Sequence, residues 1–152
     1  MNKLDKKILG VLQRDATLSS AEIAERVGLS TSPCWRRIQN LEKRGVIRQR
    51  VALLDRESLN LGVDVFVSIK TRHHSAAWLK TFAQAVSSFE EVVEFYRMSG
   101  ETDYLMRVVV PDIAAYDHFY KRLIEKVDID DVSSSFAMER LKYTTALPVD
   151  YA

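Results

Sequence analysis

Apolar residues recur at helical spacing in three short bursts over the first 45 positions, separated by polar turns. Leu4, Ile8, Leu9 and Leu12, with Asp5 early in the segment, predict a helix over residues 4–15. Ser19 and Glu22 have the S-x-x-E spacing of a capping box, and Ile23, Ala24 and Val27 form the apolar side of a second helix that stops near Gly28. Ser30 is placed to cap a third, with Pro33 in its first turn, where proline is tolerated; Cys34, Ile38 and Leu41 fall on one stripe, and the helix ends near Gly45. The pattern then changes period. Val46 to Asp55 has the β-branched and apolar content of a strand, and Arg56 to Gly62 reads as a turn or short helical hinge.

Beyond the hinge, Val63, Val65, Val67 and Ile69 alternate with Asp64, Ser68 and Lys70, as in a half-buried strand running from Val63 to Thr71. Leu79, Phe82 and Val86 predict a helix over about Ala76–Ser88. Two strands follow, Val92–Met98 and Tyr104–Val110. Ile113, Tyr116, Tyr120, Leu123, Ile124 and Val127 mark a second amphipathic helix, capped by Asp112, and a last strand is expected from Val132 to Leu141. The order βαββαβ, with two helices on one face of a four-stranded antiparallel sheet, gives a ferredoxin-like arrangement whose other face is left open for another copy or a ligand. The fold class is therefore α+β, with residues 1–50 as a helix-turn-helix domain, 51–62 as a strand and hinge linker, and 63–152 as the βαββαβ domain.

Charge separates the same two halves. Residues 1–50 hold 11 Lys+Arg against 5 Asp+Glu, whereas the remainder holds 11 against 16, so a net charge of +1 conceals a basic module joined to an acidic one. On the third helix, 100° per residue turns Ser32, Trp35, Arg36, Gln39, Asn40 and Lys43 away from the apolar stripe. An Arg can bond a guanine edge and Gln or Asn an adenine edge, while Lys43, Arg37 and Thr31 can hold phosphates, so double-stranded DNA is the expected partner. Two roles remain open for Trp35: on the outer face, or packed on the following strand.

Enzyme signatures are missing: the sequence has no G-x-S-x-G, no P-loop and no dinucleotide fingerprint. The lone Cys34 excludes an intrachain disulfide; its place beside Ile38 and Leu41 suits a small buried hydrophobe better than a redox switch. His73 and His74 are adjacent, poor geometry for one metal, so neither metal nor cofactor is expected. The apolar run Ile8–Leu12 is too short for a signal peptide or membrane span, which points to a cytoplasmic protein. The loop Met98-Ser99-Gly100-Glu101-Thr102-Asp103-Tyr104 can offer backbone N–H groups to a carboxylate and Asp or Glu to an ammonium; a plain polar hairpin turn is the alternative.

The chain as a whole resembles the Lrp/AsnC family, the feast/famine regulators of bacteria and archaea. The likeness rests on LDKKILGVLQRDATLSSAEIAERVGLSTSPCWRRIQNLEKRGVI in the first half and on MSGETDYLMRVVVPDIAAYDHFY with VSSSFAMERLK in the second. SPCWRRI, VALLD, IKTRHH, GETDYLMRV and SSFAMERLKYTT are similar to the cysteine-responsive branch. The resemblance implies a winged helix-turn-helix, a hinge and an effector-binding domain of the RAM/ACT-like kind that dimerises through its sheet, with further assembly, often to octamers. It also implies an amino-acid effector at Gly100, Glu101, Thr102, Asp103 and Tyr104, lined by Met98, Ser133, Ser134 and Ser135. The expected function is a sequence-specific transcriptional regulator responding to a small amino acid. Two alternatives stay open: an architectural DNA-binding protein with weak sequence preference, and a small enzyme using Tyr96, His73 and Arg107 on the open sheet face.

Overall fold

The computed structural model describes residues 1–152, which divide into two compact units: Met1–Leu53 with Leu141–Ala152, and Leu54–Arg140. The first is a three-helix domain. Helix α1 (Lys3–Leu12) begins where the Asn2 side chain accepts from the Asp5 N–H at 2.9 Å. Helix α2 (Ser20–Val27) begins with the expected capping box: the Ser19 hydroxyl accepts from the Glu22 N–H, and the Glu22 carboxylate accepts from the Ser19 N–H at 2.7 Å. The Ser19 hydroxyl also donates to the Glu22 carboxylate at 2.7 Å, and that bond first, with the Ser19 N–H second, holds the Glu22 carboxyl below its usual range. Helix α2 closes on Gly28 in the left-handed conformation, φ 74°. Helix α3 spans Thr31–Lys43; Ser30 has the extended backbone of a cap, but its side chain makes no capping bond. Ile8, Leu12, Ile23, Ala24, Val27, Cys34, Ile38 and Leu41 form the shared core.

Two expectations fail in this unit. Residues 46–55 form no strand: a β-rich segment needs a ladder partner, and none lies beside it in this chain, so Val51, Leu53 and Leu54 stay exposed. Residues 141–152, assigned above to the βαββαβ domain, instead belong with the helices. The Gln13 side chain exchanges two hydrogen bonds with the Leu147 backbone, and the Lys6 ammonium donates to the Asp150 carbonyl at 2.9 Å. A single 3-10 turn (Val149–Tyr151) ends the chain.

The second unit has the expected order: β1 (Val63–Lys70), α4 (Ala76–Ser87), β2 (Val92–Arg97), β3 (Tyr104–Val110), α5 (Ile113–Lys126) and β4 (Asp131–Phe136). The strands lie in the order β2-β3-β1-β4, all neighbours antiparallel, with Ile69 opposite Tyr104 on one side and Val132 on the other. The last strand stops at Phe136, opposite Val65, with one further backbone bond from the Ala137 N–H to the Asp64 carbonyl, and does not reach Leu141. Val65, Val67, Ile69, Met106 and Val108 point to one face and pack with Phe82, Val86, Phe119 and Leu123 of the helices. Each such side chain is worth about 1.5 to 3 kcal/mol of burial, which fixes the strand register, because a slip of one residue would turn the whole set outward.

Candidate nucleic-acid interface and effector loop

Helix α3 is held from behind, and the hold decides what its other side presents. Cys34, Ile38 and Leu41 are buried; burial also pushes the Cys34 thiol pKa up, so the thiol stays protonated within the core. Thr31, Ser32, Arg36, Gln39, Asn40 and Lys43 are exposed, and Trp35 is 52% exposed on the same outer side. The open question about Trp35 is thereby answered: it faces solvent and packs against no strand. Arg37 differs from its neighbours. Its guanidinium donates to the Asp5 carboxylate at 2.8 Å, tying α3 to α1, so the side chain expected to hold a phosphate has a structural partner first. Sequence reading missed that link, since Asp5 had registered only as an early acidic residue of α1. It also passed over the Glu42 carboxylate, which accepts from the Gln39 amide at 3.0 Å and the Arg50 guanidinium at 2.9 Å.

The β2–β3 loop is a braced structure. The Met98 N–H donates to the Asp103 carbonyl at 2.8 Å, the Asp103 N–H to the Ile69 carbonyl at 3.0 Å, and the Thr71 N–H to the Asp103 carboxylate at 2.8 Å. Gly100 turns the loop at φ 107°, a conformation that a side chain would strain. Met98, Gly100 and Glu101 are exposed, and Thr102 and Asp103 half-buried. Two of the proposed lining residues point elsewhere. Tyr104 is 5% exposed and sits among Trp78, Phe82 and Phe95, because the first residue of β3 alternates toward the helices. Ser134 shares that helix-side face and hydrogen-bonds the Tyr116 hydroxyl, whereas Ser133 and Ser135 face the open side opposite Ser68 and Phe66. The three serines therefore do not form one wall. His73 stacks on Trp78 with ring centres 5.6 Å apart and lies 3.5 Å from the Asp128 carboxylate, while His74 is exposed beside it.

The open sheet face carries a charge cluster that periodicity could not show. Asp64 accepts from Arg56, from Arg107 at 2.9 Å and from Arg140 at 3.5 Å, and Arg107 also reaches Glu94 at 3.1 Å. Burial alone would raise the Asp64 pKa, but the hydrogen bonds from Arg56 and Arg107 outweigh it and hold the carboxyl below its usual range.

Residues 1–48 match the family model described as winged helix-turn-helix DNA-binding, and residues 64–147 match the Lrp/AsnC ligand binding domain. The chain belongs to the Lrp/AsnC family. Among its relatives in that family, the DNA-binding transcriptional activator DecR of Escherichia coli (strain K12) is 52% identical over 99% of both chains. A crystal structure of an AsnC family transcriptional regulator from Agrobacterium tumefaciens superposes with a TM-score of 0.98 at 66% identity, covering 99% of each chain. The transcriptional regulator NMB0573 from Neisseria meningitidis, solved as an L-Met complex, superposes with a TM-score of 0.94 at 39% identity, covering 99% of this chain and 98% of that one. As a family member, this chain is a DNA-binding transcriptional regulator with a ligand-binding domain, as its relatives are, and not an enzyme. No helix is long and apolar enough to cross a membrane.

Proposed function

We propose that this Lrp/AsnC protein is a sequence-specific cytoplasmic regulator whose DNA binding or assembly responds to a small amino acid. The observation that carries the reading is the outer face of α3, where Ser32, Trp35, Arg36, Gln39 and Asn40 stand exposed on a helix whose inner stripe is fully buried. In a dimer, two copies of α3 enter major grooves about one helical turn, or a multiple, apart, so operators are imperfect palindromes. Arg36 and Asn40 read base edges; Thr31 and Lys43 hold phosphates, with the remaining nitrogens of Arg37.

The amino acid binds at the β2–β3 loop, with Glu101, Thr102, the backbone around Gly100 and the Met98 side chain nearest it, and with higher oligomers of the dimer completing the site. The L-Met bound to the Neisseria relative supports an amino acid as the ligand class. Asp103 acts chiefly by bracing the loop onto Thr71 and Ile69. Such an effector regulates only through different affinity for two assemblies or two DNA-binding states, since equal affinity shifts neither.

The test is a thermal-shift screen of the twenty amino acids, followed by mass measurement and operator footprinting with and without the best ligand. One amino acid should raise the melting temperature by mass action and change either the mass or the footprint. No response at millimolar concentration would refute the effector half of the reading. Equal affinity for operator and random DNA would refute the sequence-specific half.

A further inference from the structure

Glu42 is the only acidic side chain on α3, whose exposed side otherwise carries polar and basic residues together with Pro33 and Trp35. It stands one turn beyond Gln39, on the flank of α3 that also carries Trp35. Near DNA phosphates a carboxylate works against affinity, and as a stabilising pair it adds little, because Glu42 and Arg50 are 34% and 42% exposed. Its two hydrogen bonds indicate another use. One oxygen accepts from the Gln39 amide at 3.0 Å; the other accepts from Arg50, in the segment that follows the helix, at 2.9 Å.

A carboxylate only accepts hydrogen bonds, so the Gln39 amide must turn its NH2 toward Glu42 and its oxygen away. Of the two amide hydrogens one is used, and one N–H and the carbonyl oxygen remain. That donor and acceptor pair is what the adenine edge in the major groove requires, N7 accepting and the N6 amino group donating. Arg50 holds the carboxylate from its other side, which keeps Glu42 from swinging away from Gln39. We propose that Glu42 is a specificity-determining positioning residue: it locks the Gln39 amide in the orientation that reads adenine, with Arg50 as its anchor. This rests on the reading of α3 as the recognition helix.

The test is selection of bound duplexes from a randomised pool by the full-length protein, followed by competition between selected and non-selected DNA. The wild type should show an adenine at one position of each half-site, and Gln39→Ala should lose that preference alone. Glu42→Ala should weaken it by about tenfold, the factor that corresponds to about 1.4 kcal/mol and lies within the range of one bidentate base contact. Its affinity for non-selected DNA should stay equal or rise, because a negative charge has gone and Arg50 is released toward phosphate. Glu42→Gln keeps an amide oxygen that can accept from Gln39, so it should restore the adenine preference without the charge; a merely structural role for Glu42 would not produce that split. Glu42→Ala added to Gln39→Ala should cost nothing further at the adenine. A wild-type motif left intact by Glu42→Ala, or losses that add in the double variant, overturns the inference and leaves the reading of α3 standing. A wild type that selects no motif overturns that reading, and the inference with it.

Discussion

Asp64 lies on a sheet face that no helix covers, yet its side chain is only 8% exposed, because Arg56, Arg107 and Arg140 close over it. Replacing it with Asn keeps the size and removes the charge, leaving three guanidiniums facing each other with Glu94 as the remaining carboxylate; Asp64→Asn should cost about 2 to 3 kcal/mol at neutral pH. The folded-state pKa of Asp64 is depressed, so its contribution is present above the ordinary carboxylate value and is lost as pH falls through the folded value. The gap between the denaturation curves of wild type and variant should be constant from pH 7 to about pH 5, begin to narrow only below about pH 4, and go on closing as pH falls through the lowered folded-state value. A gap that did not narrow at all between about pH 5 and about pH 3 would show the loss to be steric, not electrostatic. On α3 two substitutions should separate. Arg36→Ala should lose about 1 to 3 kcal/mol at the operator and relax base preference there, whereas Lys43→Ala should weaken binding to all sequences and flatten the salt dependence by about one unit of slope. Footprints over a salt series check both, and an unchanged operator footprint with Arg36→Ala would refute its role. Outward direction on α3 was legible because 100° per residue is a local rule. That Arg37 meets Asp5, or that Asp64 gathers three arginines, depends on chain segments 8 to 76 residues away and leaves no periodic mark.

Helix α2 shows how few residues set an element. Ser19 and Glu22 satisfy each other at its start, and Gly28 ends it with φ 74° and no atom close to where a side chain would stand. Gly28→Ala therefore carries conformational strain alone, about 1 kcal/mol, and loss of the Ser19 hydroxyl should cost about as much. In a unit of this size each should lower the melting temperature by about 4 to 8 °C; Gly28→Asn, which tolerates the left-handed region better, should recover part of the loss. A neutral Gly28→Ala would mean that the turn can relax. The same locality explains which elements the sequence reading found. The three helices and the β1 to β3 order follow from spacing and alternation within each segment, and their ends fall within a few residues of expectation. Residues 46–55 have strand composition without a strand, because composition cannot supply the partner that a ladder needs. Alternation also allots Tyr104 and Ser134 to the helix side of the sheet, whereas the family resemblance had grouped them with the effector loop.

At the scale of the molecule, the chain leaves the three-helix unit after Leu53, builds the whole βαββαβ unit, and returns at Leu141. The returning tail is short and mostly exposed, so its attachment rests on few bonds: Gln13 to Leu147 in both directions, Lys6 to Asp150, and the packing of Val149–Tyr151 near α1. Exposed hydrogen bonds of this kind contribute about 0.5 to 1.5 kcal/mol each, so loss of the tail should cost the helical unit on the order of 1 kcal/mol. Truncation after Arg140 should therefore lower the melting of the helical unit by about 5 °C and leave that of the sheet unit unchanged, because Arg140 itself and its bond to Asp64 are retained. Hydrogen exchange resolves the two units separately: amides of α1 should lose protection, whereas those of β1 and β3 should not. Gln13→Ala in the full-length chain should give a smaller loss in the same place, since it removes both bonds to Leu147 but leaves Lys6. If truncation instead loosened β1 and β3 and spared α1, the tail would belong to the sheet unit, where the element order in the sequence had placed it.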